Sequence, residues 1–106
     1  MNKYNATKTM VFGILFDSKA EAARYLELRA LQDAGEINAL STQVAFELIP
    51  KIAGQRATFY VADFTYIKDG KMVVEDVKGC KTQVYCIKRK LMAWRHNIQI
   101  VEVYTK

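Results

Sequence analysis

"ADFTYIKDGKMVVEDVKG", residues 62–79, decides how the chain folds. Asp69-Gly70 at its centre is the strongest short turn signal in the sequence, because this pair tolerates the two positive φ angles of a type I′ loop. Folding the chain there makes a hairpin from "TFYVADFTYI" and "KMVVEDVK". It sets Lys68 against Lys71, Ile67 against Met72, Thr65 against Val74, and Asp63 against Asp76. Facing side chains on paired strands stand about 4.5–5.5 Å apart at Cβ, where like charges destabilise the pair. Strand alternation puts Asp63 on the face of Val61 and Thr65, and puts Asp76 and Lys78 together. The register makes these one half-buried face, on which two carboxylates and an ammonium converge. Glu75 points the other way.

Two facing acids need compensating charge. Lys78 can supply it, as part of a small ion-pair cluster on a sheet. A divalent metal supplies more: Mg²⁺ is typically held by one or two carboxylates together with water and substrate phosphate. A metal so held polarises a phosphate and acidifies its bound water. Carboxylates near a lysine serve structural and catalytic roles alike, so residue chemistry leaves both readings open.

Upstream of the hairpin, "KAEAARYLELRALQDA" is rich in helix formers, with Ser18 as N-cap and Gly35 as stop. "TQVAFELI" alternates Val44, Phe46 and Leu48 with polar or small residues and reads as a strand. Residues 50–57 form a loop. Downstream, "TQVYCIKRKLMAWRH" is a second helix capped by Thr82, with Val84, Ile87, Leu91 and Trp94 as its expected buried stripe. "IQIVEVY" is the last strand. The order is helix, three strands, helix, strand. The first three strands suit an antiparallel meander, and the crossover through the second helix makes the last two parallel. The fold class is α/β: a mixed sheet of about four strands flanked by helices. Residues 1–16 read as an N-terminal arm followed by a short extended piece, and residues 1–106 as a single domain.

The chain has 106 residues, 51% hydrophobic and 25% charged, an ordinary globular balance. No stretch approaches the roughly 20 apolar residues of a membrane span. No leader-like pattern opens the sequence. Two cysteines, Cys80 and Cys86, make no disulfide framework, which suits a reducing cytoplasm. With His96 as the only histidine they also fall short of a zinc site. Net charge is +5. Lys78, Lys81, Lys88, Arg89, Lys90 and Arg95 follow one another with no acid between them, and residues 1–16 and 48–62 also lack Asp and Glu. Clustered positive charge favours a polyanion such as nucleic acid, and it equally serves as a solubilising surface.

Asp63, followed on the next strand by Asp76-Val77-Lys78, resembles the PD-(D/E)xK motif of the restriction-endonuclease-like nucleases, and the element order is similar to that superfamily's common core. The resemblance runs from about Ser18 to Tyr104. More closely, "FDSKAEAARY", "LSTQVAFEL", "ADF" and "EDVKG" resemble a small phage-encoded family of unknown function. The superfamily resemblance implies metal ligation by Asp63, Asp76 and the Val77 carbonyl, with Lys78 as catalytic lysine. It also implies a ligand at Glu21, where many members carry a helix glutamate. Ala62 stands where the motif's name has proline.

Several residues carry two readings. Ser18-x-x-Glu21 is also a capping box, in which Glu21 bonds back to the Ser18 N–H. Lys88 sits at the margin of an apolar stripe and either snorkels to solvent or points over the sheet to bind phosphate. Lys81, Arg89, Thr82 and Gln43 are candidate nucleic-acid contacts; Thr82 equally serves as a cap and Gln43 as a solvent-facing strand residue. His96 suits a helix C-terminus. Trp94 reads as core, and Tyr60 and Tyr66 as residues packed beneath a helix, opposite Asp63.

These readings converge on an expectation: a Mg²⁺- or Mn²⁺-dependent DNA endonuclease of phage type, cytoplasmic in its host. Its small size leaves little room for a sequence-reading module, which favours branched or junction DNA met in recombination or packaging. A homodimer would let one site address each strand. The rival is a non-catalytic DNA-binding or protein-interaction module on the same fold, and basic charge does not separate DNA from RNA.

Overall fold

The computed structural model describes residues 7–104. A short hairpin, β1 (Thr9–Val11) and β2 (Ile14–Phe16), leads into helix α1 (Lys19–Asp33). Then follow β3 (Asn38–Ile49), β4 (Thr58–Lys68), β5 (Lys71–Lys78), α2 (Gln83–His96) and β6 (Val101–Tyr104). The four long-range strands form one mixed sheet in the order β3-β4-β5-β6, antiparallel except for the parallel β5–β6 pair. The expected arm is in part this β1–β2 hairpin, whose Phe16 is buried against Tyr25 of α1; residues 1–6 lie outside the described residues.

Local chemistry sets the element ends. Ser18 has extended backbone and its hydroxyl accepts the Glu21 N–H at 3.2 Å. At the other end of α1 Gly35 takes φ +80°, and the Glu36 N–H reaches back to the Leu31 carbonyl at 2.9 Å, closing a Schellman turn that a side chain would strain. Thr82 caps α2 in the same way, accepting the Tyr85 N–H at 3.1 Å. The Asp69-Gly70 loop has φ angles of 51° and 77°, as a type I′ turn requires. The register it sets runs through Lys68–Lys71, Ile67–Met72 and Thr65–Val74 to Phe64–Glu75.

The helices cover opposite faces of the sheet. Phe16, Tyr25 and Leu28 bury Phe64 and Tyr66 beneath α1, whereas Tyr85 and Met92 of α2 pack on Leu48, Tyr60, Ala62 and Val74. Tyr60 and Tyr66 are six positions apart yet face opposite helices, so strand alternation breaks between them. The break falls at Gln43 and Asp63, the one facing pair skipped where β3 and β4 otherwise pair continuously from Ser41–Thr65 to Glu47–Phe59. Gln43 there adopts φ 53°, in the left-handed region. Tyr60 therefore lies on the side of Asp76, not opposite the acids as alternation alone places it.

The expected stripe of α2 is also rotated. Val84, Ile87 and Trp94 are exposed, Trp94 at 77%, while Tyr85 and Met92 are buried. The sheet offers α2 polar partners for the Tyr85 hydroxyl and the Arg95 guanidinium, and these bonds select the inward face over the more apolar one.

Candidate active site

β4 and β5 pair from their turn back to Phe64 and Glu75 and then part. Beyond that point β4 runs on to Thr58 as the partner of β3, and β5 runs on to Lys78 as the partner of β6. The sheet forks, and Asp63 and Asp76 stand at the base of the fork. Asp63 Oδ2 accepts the Val77 N–H at 2.7 Å, replacing the ladder bond that ends there. Its carboxylate is thus aimed along the sheet towards β5. Asp76 is buried, and both its oxygens are held: Oδ2 accepts from the Tyr60 hydroxyl at 2.5 Å, and Oδ1 pairs with Lys78 Nζ at 2.8 Å. The Lys78 ammonium also lies 3.6 Å from the centroid of the Tyr85 ring, a cation–π contact that fixes it over the sheet.

Glu21 reaches the same place from the first turn of α1. Burial raises its carboxyl from 4.5 to about 7, and the charges of Asp63, Asp17 and Asp76 push the same way; the Asp17 N–H partly offsets them. Asp63 is raised from 3.8 to about 6, first by burial and then by Asp76; the Val77 N–H, Lys78 and Gln43 act against the rise. Ser18 makes its half of the capping box. The return bond from Glu21 to the Ser18 N–H is not among the bonds made by the described residues. The Glu21 carboxyl takes the Asp17 N–H instead, near enough to Asp63 and Asp76 to feel their charge.

Asp63 and Asp76 therefore stand together with Lys78 as their ammonium among the described residues, and Glu21 lies near enough to add to the repulsion. Hard carboxylate oxygens suit Mg²⁺ or Mn²⁺ and suit zinc or copper poorly. Among the described residues no group of three or more His, Cys, Asp or Glu side chains is placed to hold a metal ion, so Glu21 does not complete a three-carboxylate set with Asp63 and Asp76. Two carboxylates are a set with which Mg²⁺ commonly binds when water and phosphate fill the remaining positions. The donor chemistry fits such an ion.

A single family model covers this arrangement with both helices and all four sheet strands, matching residues 1–104. The chain belongs to the family described as Protein of unknown function (DUF1064). No curated protein matches it. Membership in the DUF1064 family assigns no chemistry, so function rests on the site itself.

The other candidate residues divide. Lys81 and Arg89 are drawn to Glu102 on β6, at 3.4 and 2.7 Å, where Tyr85 and Tyr104 also donate to that carboxylate. Desolvation opposes ionisation of Glu102, but these donors outweigh it and hold the group down at about 2. Thr82 is committed to its cap. Gln43 is exposed beside Asp63. Lys88 is half-buried on α2 and has no ion pair among those of the described residues. His96 ends α2, its Nε2 2.6 Å from the Glu47 carbonyl. Two residues of the site escape sequence reasoning, Tyr60 and Tyr85. For Tyr60 the missing signal is the alternation break, which no local pattern announces. For Tyr85 a signal existed, since it precedes Lys88 and Met92 at helical spacing.

Proposed function

We propose that this protein is a metal-dependent endonuclease that hydrolyses phosphodiester bonds in DNA, built on the restriction-endonuclease-like core that the PD-(D/E)xK resemblance implies. One observation carries the reading: at the fork of β4 and β5, Asp63 and Asp76 meet with Lys78 and Glu21, leaving more acid than the neighbouring side chains neutralise. Asp63 and Asp76, with the Val77 carbonyl, would hold Mg²⁺ or Mn²⁺, with Glu21 as a supporting charge nearby. Such an ion neutralises phosphate charge and lowers the pKa of bound water.

The chain's own groups have distinct tasks. The Val77 N–H and the Tyr60 hydroxyl fix the two aspartates in orientation, so no reorganisation is needed when substrate arrives. Lys78, 2.8 Å from Asp76 and seated on Tyr85, is placed to orient the attacking water and to stabilise charge growing on the phosphate oxygens. The substrate proposed is branched or junction DNA rather than a particular base sequence.

A second reading is favoured by the bonding of Asp76, both of whose oxygens already have protein partners. On that reading the cluster is structural and the protein binds DNA, or a protein partner, without cutting. Purified protein incubated with supercoiled, four-way-junction and single-stranded DNA, and with RNA, in Mg²⁺ or Mn²⁺ separates the two. Divalent-dependent cleavage supports the nuclease. Tight junction binding without cleavage in either ion establishes the binding module.

A further inference from the structure

The β3–β4 ribbon beyond the fork has no role in the site. β3 and β4 extend past the fork as a two-stranded ribbon and turn at Ala53-Gly54, whose φ angles are 52° and 75°. Ile52 and Gln55 close that tip with a pair of backbone bonds at 3.2 and 2.8 Å. One face of the ribbon, Phe46, Leu48 and Tyr60, packs on α2. The other face is open: Phe59 and Val61 are 45% and 46% exposed, on the side opposite Tyr60 and Ala62, and the strand carries them up to the break in alternation at Asp63. Lys51 and Arg56 flank the tip, both exposed, and no acid occurs from residue 48 to 62. Glu47, across from Phe59, is engaged by Arg95 at 2.9 Å.

We infer that this bare ribbon face is a binding track for single-stranded nucleic acid, with Phe59 stacking on an unpaired base and Lys51 and Arg56 holding backbone phosphates. The inference rests on the nuclease reading for its direction: the track lies on the side of the ribbon away from α2, the side from which Glu21 approaches the fork, while Asp76 and Lys78 lie on the α2 side. Phe59 lies four residues from Asp63, about 13 Å at the rise of a strand. That is about the span of four stacked nucleotides at 3.4 Å each. Aromatic faces accept any base, and flanking cations follow the backbone, so the track is sequence-tolerant. A duplex keeps its bases stacked and offers Phe59 no open ring face, so the track favours substrates with a single-stranded arm.

The test is binding in the absence of divalent ions, by fluorescence anisotropy of a labelled single-stranded oligonucleotide and a blunt duplex of the same length. Phe59→Ala is expected to weaken single-strand binding about 10-fold and duplex binding less than 2-fold. Lys51→Ala with Arg56→Ala should weaken both and flatten the salt dependence of single-strand binding by about 1.4 units of slope, about 0.7 for each phosphate contact. Trp94→Ala, on the outer face of α2, serves as a control and should leave binding as in wild type. Thermal melts of each variant check folding; Phe59→Leu, which keeps an apolar side chain but no ring, should fold and still lose the preference for single strands. Unchanged single-strand affinity in folded Phe59→Ala and Phe59→Leu overturns the inference, as does a wild type that binds neither nucleic acid. Preferential binding without cleavage would leave the track standing and remove the nuclease; cleavage unaffected by the ribbon substitutions would do the reverse.

Discussion

Glu75 and Asp76 are neighbours on β5, and strand alternation sends them to opposite faces of the sheet. Both are buried, at 1% and 5% exposure. Glu75 meets a complete set of partners. Arg24 grips it with two bonds, Nε to Oε1 at 2.8 Å and Nη2 to Oε2 at 2.7 Å, and the Tyr66 hydroxyl donates to it as well. The pairing is bidentate, and Arg24 keeps only a longer contact, 3.4 Å, to the exposed Glu27. Asp76 also has a hydroxyl and a cation, but it shares Lys78 with Asp63 and stands near Glu21. Adjacent residues thus carry a closed ion pair and an acidic surplus. The closed pair joins α1 to the sheet, and the surplus marks the place where a cationic ligand would gain most.

Substitution on each side of β5 separates the two roles. Asp76→Asn and Lys78→Ala are expected to cut DNA cleavage by about 10³-fold, the scale set by loss of a key electrostatic group. The urea midpoint of Asp76→Asn should stay near wild type, because the change relieves repulsion as it removes a bond, whereas Lys78→Ala strands the buried Asp76 carboxylate and should lower the midpoint. Supercoiled-plasmid nicking in Mn²⁺ measures the first effect and chemical denaturation the second. Full cleavage by Asp76→Asn would place the chemistry elsewhere.

Arg24→Ala should do the opposite. It strands a buried carboxylate, a change that typically costs about 3–5 kcal/mol, and should leave metal binding by the surviving folded fraction unchanged. The double change Arg24→Met with Glu75→Leu should recover most of that loss, since an apolar pair of similar volume needs no neutralisation. Denaturant titration of the single and double variants checks both. A single variant as stable as wild type would show that the pair is not needed to anchor α1.

The pH dependence is a smaller effect of the same contrast. Asp63 and Glu21 have folded-state values raised to about 6 and about 7, above their usual 3.8 and 4.5. The folded protein therefore binds protons more readily than the unfolded chain. The stability this brings is fully present below about pH 4 and is lost as pH rises through 6 and 7. Without divalent ions the thermal midpoint should fall by a few degrees between pH 5 and pH 8, on the order expected for about 1 kcal/mol in a domain this size. Added Mn²⁺ should reverse that fall. Glu102, held low at about 2, works with the other sign and only in acid, its contribution fading below about pH 4.5. Scanning calorimetry across this range measures both slopes, and a midpoint that climbs from pH 5 to pH 8 would contradict the surplus.

The hairpin was legible because its information is local. Asp69-Gly70 dictates a turn, the turn dictates register, and register places Asp63 beside the end of β5. Helix α1 was legible for the same reason, through Ser18 and Gly35. The inward face of α2 was not, because an apolar stripe of Val84, Ile87 and Trp94 outranks Tyr85 on hydropathy. The sheet chooses Tyr85 through Glu102 and Lys78, partners distant in sequence. The switch of facing in β4 was hidden too. It depends on the left-handed backbone of Gln43 on another strand, in a residue with no glycine to advertise it. The length of the bare ribbon could be estimated from the strand patterns, but its exposure depends on where α1 and α2 end their coverage.

Glu21 offers the finest test, because its two readings predict opposite signs. Ser18→Ala removes a hydroxyl that accepts the Glu21 N–H and should cost about 1 kcal/mol. As a helix cap, Glu21 would behave alike, and Glu21→Gln would be neutral or slightly destabilising with no effect on metal. As part of the acidic surplus, Glu21→Gln removes a repelling charge. At pH 8 without divalent ions the variant should then melt slightly above wild type, and it should take up Mn²⁺ about 10-fold more weakly, the order expected for a supporting group. Isothermal titration with Mn²⁺ beside thermal melts at pH 8 reads both quantities from one preparation. A lower midpoint with unchanged Mn²⁺ uptake returns Glu21 to the helix end and leaves Asp63 and Asp76 as the only carboxylates at the fork.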